Sequence, residues 1–120
     1  STHELQDIMP WLDQIVILKD GRLIQNDSPE ETYKQPYNSY VAKLFGEVNI
    51  FSEEEKAEFQ LPKFSYYPKE IKISDNGTEA ELLESRFAGN HYWNKIKVQN
   101  KELIVYTDGK IEGNIRISFV

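Results

Sequence analysis

Five short segments of alternating polarity crowd into roughly the last 55 of the 120 residues, and turn signals separate them. Residues 70–74 read as a strand, and Asn76-Gly77 as the turn after it. Residues 78–87 read as a long strand whose alternation slips at Leu82-Leu83, as at a bulge. Residues 92–99 alternate, with Ile96 and Val98 on one face and Lys95 and Lys97 on the other. Asn100-Lys101 then turns the chain into residues 102–106, and Asp108-Gly109 turns it again before residues 114–120. So few residues cannot bury two large sheets. A small five-stranded barrel, which leaves few free edges, is the economical solution. Its interior is predicted to hold Ile71, Ile73, Leu82, Phe87, Ile96, Val98, Leu103, Val105, Ile115, Ile117 and Phe119. Arg116 and Ser118 then point outward, because a one-residue slip reverses every assignment on a strand.

The first part of the chain mixes periods. Apolar residues at 5, 8, 9 and 12 have helical spacing, with Pro10 placed to kink or stop that helix. Residues 14–18 form a buried strand in this reading, Asp20-Gly21 a hairpin turn, and residues 22–25 the returning strand. Ser28-Pro29-Glu30-Glu31 reads as an N-cap, an N1 proline and an acidic first turn. A second short helix starts at Asn38 or Ser39, and Gly46 suits its C-terminus. Ser52 with Glu55 has the form of a capping box inside the acidic stretch at residues 53–58. That stretch reads as a linker holding one helical turn. The divisions are therefore residues 1–47, a linker at 48–63, and residues 64–120.

Composition narrows the functional classes. Leu, Ile, Val and Phe make up a little over a quarter of the chain, enough for a core. The net charge of −6 argues against a partner with a phosphate backbone, so no nucleic acid is expected. The absence of cysteine removes disulfides and thiolate chemistry. His3 and His91 are too few for a histidine-rich metal cluster, and no apolar run reaches the length of a membrane span. The acidity is uneven: residues 1–47 carry a net −4, whereas residues 65–120 are neutral.

Specific strings carry a resemblance. Ser1-Thr2-His3-Glu4 is similar to the histidine switch of ABC transporter ATPases, a Thr-His followed by Asp or Glu. Asp13 lies ten residues further on, in Leu12-Asp13-Gln14-Ile15-Val16-Ile17-Leu18, which resembles the family's A-D-R-I-x-V-L stretch. Pro29, Glu31, Tyr33, Pro36, Asn38, Tyr40, Val41, Ala42, Leu44, Phe45, Gly46 and Asn49 resemble, without a gap in spacing, the end of the nucleotide-binding domain of importer ATPases. Asp27 departs from a usual glycine and Thr32 from a usual aliphatic. Tyr67-Pro68-Lys69-Glu70-Ile71, Phe87-Ala88-Gly89, and Gly113 followed by Ile115, Ile117 and Phe119 resemble the TOBE domain, an OB-like barrel appended to these ATPases.

The resemblance implies a mainly β, α+β chain: a TOBE-type barrel after a helix–hairpin–helix remnant of an α/β ATPase domain. It implies His3 as the catalytic switch residue that contacts the γ-phosphate in a complete subunit. ATP and Mg2+ would be that subunit's cofactors. Its partners would be permease transmembrane subunits, a second copy in a homodimer, and a small-molecule regulator at the barrel. Its place would be the cytoplasmic face of the membrane, as a peripheral protein. No G-x-x-x-x-G-K-[ST] loop, signature motif or aliphatic run ending in Asp-Glu occurs in the chain. The expectation is a C-terminal portion that does not hydrolyse ATP by itself, binds no cofactor or metal, and leaves residues 15–18 without some of their usual partners. A stand-alone OB-like ligand-binding or dimerisation module is the alternative.

Other residues support chemistry less well. His91 beside a Gly-Asn turn reads as a loop residue. Tyr66, Tyr67, Tyr92, Trp93 and Tyr106 could stack on a base, but aromatics at such positions more often fill a core. Glu79, Glu81 and Glu84 read as exposed alternating charge rather than paired catalytic carboxylates.

Overall fold

A computed structural model describes residues 8–119. The chain divides into two compact units, one running to Val48 and one from Asn49.

In the first unit a 3-10 turn at Met9–Trp11 contains Pro10, which has no amide to donate to a longer helix. Residues 5–7 of the expected helix lie outside the described residues. Strands β1 (Ile15–Lys19) and β2 (Arg22–Asp27) form an antiparallel hairpin. Its two turn residues, Asp20 at φ 53° and Gly21 at φ 77°, both adopt the left-handed backbone that a tight hairpin requires. Helix α1 (Pro29–Lys34) starts as expected: Ser28 Oγ accepts from the Glu31 amide at 3.2 Å. Helix α2 (Ser39–Lys43) is capped by Asn38, whose Oδ1 accepts from the Val41 amide at 3.0 Å. Thr32 is fully buried, and its hydroxyl donates to the Ser28 carbonyl at 2.8 Å, so no polar group is stranded where an aliphatic is usual. Gln25 ties the hairpin to the loop after α1, donating to the Gln35 carbonyl and accepting from the Tyr37 amide.

The second unit contains β3 (Asn49–Ile50), α3 (Glu53–Phe59), β4 (Ser65–Tyr66), a 3-10 turn at Pro68–Glu70, β5 (Ile71–Phe87), β6 (Tyr92–Val98), β7 (Lys101–Thr107) and β8 (Asn114–Phe119). β3 and β4 pair as a ribbon, and the other four form an antiparallel sheet in the order β7-β6-β5-β8. The mainly β, α+β class stands. The strands make an open sheet and a ribbon, however, and not a closed ring of five.

The strand count differs because Asn76-Gly77 is not a hairpin turn. β5 is one strand of 17 residues. Ile73 and Thr78 both oppose Ile117 of β8, so residues 74–77 bulge out of the ladder. Gly77 serves close packing here: a Cβ on it would sit 2.0 Å from the Ile117 carbonyl oxygen. Farther along, β5 exchanges partners at Glu81, which opposes both Asn114 of β8 and Lys97 of β6. The slip at Leu82-Leu83 is a bulge against β6, as the broken alternation indicated. The β6–β7 turn is Gln99-Asn100, one residue earlier than expected, with φ of 49° and 75°.

The core gathers Phe51, Tyr66, Ile71, Ala80, Ile96, Val98, Leu103, Val105 and Ile117, with Leu82, Ile115 and Phe119 packed against it. Two expected interior residues are outside. Ile73 is 41% exposed at the start of the bulge, and Phe87 is 69% exposed at the end of β5, where its ring meets Tyr92 edge-on. In place of these, the stretch read as a linker contributes Phe51, Phe59 and Leu61. Phe51 contacts Phe59, Tyr66 and Phe119 edge-to-face, with ring centroids 5.7–5.8 Å apart.

The capping box forms as expected. The Ser52 amide donates to Glu55 at 2.9 Å, and Ser52 Oγ accepts from the Glu55 amide at 3.2 Å. Lys101 on β7 reaches the same carboxylate at 3.0 Å. The Ser52 amide first, and then the Lys101 ammonium, hold the Glu55 carboxyl below its ordinary value. A carboxyl lowered in the folded state adds stability above its unfolded value, and that stability is lost as pH falls through the folded one. Acid titration of thermal stability below about pH 4.5 is therefore expected to cost Glu55→Gln less than the parent chain. Parallel acid profiles would contradict this linkage.

Candidate functional site

His3 lies outside the described residues, so its geometry is not part of the structure. Asp13 sits exposed in a bend just before β1. The N-termini of α1, α2 and α3 are capped by side chains: Ser28, Asn38 and Ser52 accept from the amides that an anion would need. α1 and α3 also begin with carboxylates, which repel a phosphate. Among the described residues, no group of three His, Asp or Glu side chains converges on a metal position. None of the described helices is long and apolar enough to cross a membrane.

The hairpin of the first unit has two unlike faces. Ile15 and Ile17 are buried, while Val16, Leu18 and Leu23 are each about 60% exposed. Leu18 and Leu23 stand opposite one another across the ladder. The expectation that this strand lacks partners therefore applies to one face, and the other is packed.

The second unit carries an open cleft of about 280 Å³ where the sheet fails to close. The first residues of β5 lose contact with β6, which pairs only from Glu81 onward. The 3-10 turn at Pro68–Glu70 lies against β7. The cleft is lined by Lys69, Ile71, Lys72 and Ile73 from the start of β5 and the turn before it, by His91, and by Tyr106, Thr107 and Asp108 from the end of β7. The His91 ring stacks on Tyr106 at 4.1 Å, with 29° between the planes. Asn90 Oδ1 lies 2.5 Å from His91 Nδ1, which favours the tautomer carrying its proton on that nitrogen.

The aromatic residues considered as a stacking platform therefore separate. Tyr66 and Tyr67 are buried, while Tyr92, Trp93 and Tyr106 keep partial exposure. The cleft was not visible in the sequence. Its walls come from three separated stretches, and only the pairing of β5 brings them together.

No family model matches the chain. Individual proteins do. The chain is 34% identical over 115 residues to a spermidine/putrescine import ATP-binding protein PotA from Borreliella afzelii, a match covering 95% of this chain and 30% of the relative. The chain belongs to the importer-type ABC transporter ATP-binding proteins. A PotA from Borrelia garinii subsp. bavariensis is 35% identical over 80 residues, covering 67% of the chain and 22% of that protein. One from Vibrio parahaemolyticus is 33% identical over 84 residues, covering 62% of the chain and 22% of that protein. The chain thus spans less than a third of the length of these curated importer proteins. The Borreliella afzelii match covers nearly all of it, and so includes residues of both units.

Proposed function

We propose that these residues work as the C-terminal portion of the ATP-binding subunit of an importer, coupling ATP hydrolysis to uptake of a solute of the polyamine class. The match to an import ATP-binding protein over 95% of the chain supports this most strongly. In this reading His3 holds the γ-phosphate and the attacking water in a closed site completed by ATP, Mg2+ and a second subunit. The second unit is the TOBE-like appendage, serving dimer contact or regulation. Permease subunits receive the motion, and the protein is peripheral to the cytoplasmic membrane face. The cradle, the magnesium ligands and the signature motif come from residues other than these.

A chimera tests the proposal. The segment of the Borreliella afzelii relative that this chain matches is replaced by the chain, and uptake of putrescine and spermidine is measured in proteoliposomes holding the relative's permease. ATP-driven uptake should persist. His3→Ala in the chimera should lower ATP turnover by roughly 10²–10³-fold, the usual cost of removing one transition-state donor. The 120-residue chain alone should show no magnesium-dependent turnover. Turnover by the chain alone that disappears in His3→Ala, or a folded chimera without uptake, would overturn the reading.

A further inference from the structure

The cleft at the unclosed seam is lined by two of the second unit's lysines. Most basic side chains of this unit are matched to carboxylates: Lys56 to Glu53, Lys63 to Glu70, Arg86 to Glu84, Lys95 to Glu102, Lys101 to Glu55 and Arg116 to Glu79. Lys69, Lys72, Lys97 and Lys110 make no ion pair among the described residues, and the first two line the cleft. Two lysines without a carboxylate partner among the described residues thus line one concave surface. Next to them, the stacked rings of His91 and Tyr106 offer a flat wall. Ile73, 41% exposed, adds apolar surface.

We propose that this cleft binds a small anion carrying a planar ring, a carboxylate or phosphate ester whose charge meets Lys69 and Lys72 and whose ring lies against the His91 and Tyr106 pair. The volume of about 280 Å³ is of the order that a small ring-bearing anion fills. Compact, strongly hydrated ammonium groups recognise an anion as point charges, without demanding a fixed bidentate geometry. Asp108 lines the same cleft and opposes an anion. This makes its removal a test of opposite sign. This proposal does not rest on the function proposed above.

The test is an amide-resolved NMR titration of the 120-residue chain with phenyl phosphate, inorganic phosphate and phenol, at fixed ionic strength. Phenyl phosphate is expected to give saturable shifts centred on residues 69–73, 91 and 106–108. It should bind at least tenfold more tightly than inorganic phosphate, which lacks the ring, or phenol, which lacks the charge. Lys69→Ala with Lys72→Ala should weaken it tenfold or more, and Asp108→Asn should strengthen it severalfold. Lys97→Ala with Lys110→Ala, which removes the same charge elsewhere on the unit, should leave it unchanged. Backbone spectra of each variant confirm folding. Equal affinity for phenol and phenyl phosphate would overturn the proposal. So would the same weakening from either lysine pair, or shifts that do not saturate by millimolar ligand.

Discussion

Ile117→Ala should destabilise the second unit by roughly 2–5 kcal/mol, whereas Arg116→Ala, one residue earlier, should cost no more than about 1 kcal/mol. The contrast arises from the register of β8. Ile117 is 1% exposed and opposes β5 twice, at Ile73 and at Thr78, where the strand bulges. Truncating it leaves a cavity among Phe51, Ile71 and Ile96 that fixed backbones on both sides cannot refill. Arg116 lies on the other face. It donates to the Gly77 carbonyl and to Glu79, both at 3.0 Å and both exposed. Exchange with water and rotamer entropy offset most of what such contacts contribute. Urea unfolding of the two variants measures the difference directly. Equal destabilisation would show that the final strand sits one residue out of the register described.

The same strand shows why alternation could be read from the sequence and closure could not. Ile115, Ile117 and Phe119 repeat with period two because β8 has one face on the core and one in water, and that asymmetry is written into composition. Turn chemistry was legible at Asp20-Gly21, and the caps at Ser28, Asn38 and Ser52 were legible because each satisfies a local amide. Asn76-Gly77 has the same chemistry and a different outcome. The dipeptide permits a turn, but whether the chain reverses there depends on β8, some 40 residues away, continuing to pair with β5 past the bulge. Long-range pairing also exposed Ile73 and Phe87, and it recruited Phe51 and Phe59 from a stretch whose charge suggested a solvated linker. An acidic helix surface and a buried aromatic at its edge are compatible, because only one side of α3 meets the core. The cleft was illegible for the same reason. Lys69, His91 and Asp108 share no local motif and meet only through the strand order. His3, in contrast, was singled out by a contiguous string and needed no tertiary information to be noticed.

Asn49→Leu should be among the most damaging single changes in the second unit, at roughly 2–4 kcal/mol, although it enlarges the apolar content of the core. Asn49 is buried, and its carboxamide is used from both ends. Oδ1 accepts from the Ile104 amide at 2.8 Å, while Nδ2 donates to the Ile104 carbonyl at 2.8 Å and to the Tyr66 carbonyl at 3.1 Å. β7 is an edge of the sheet, so the two Ile104 groups point away from β6 with no neighbouring strand to take them. The carboxamide substitutes for one residue of that missing strand, with its donor and acceptor spaced like a peptide unit. A leucine, similar in branching but larger, removes all three bonds and leaves the Ile104 amide and carbonyl to be desolvated without this partner, which is the costly direction of the asymmetry. Asn49→Asp separates geometry from chemistry. Its carboxylate still accepts from the Ile104 amide but sets a second acceptor against two carbonyl oxygens, so it too should be strongly destabilising at neutral pH. Protonation supplies a donor again, so the gap between Asn49→Asp and the parent chain should narrow on acidification, whereas Asn49→Leu should show no such recovery relative to the parent. Chemical unfolding of the three proteins at neutral pH and near pH 4 distinguishes these outcomes. An Asn49→Leu chain as stable as its parent would mean that the edge of β7 is held by something other than this side chain.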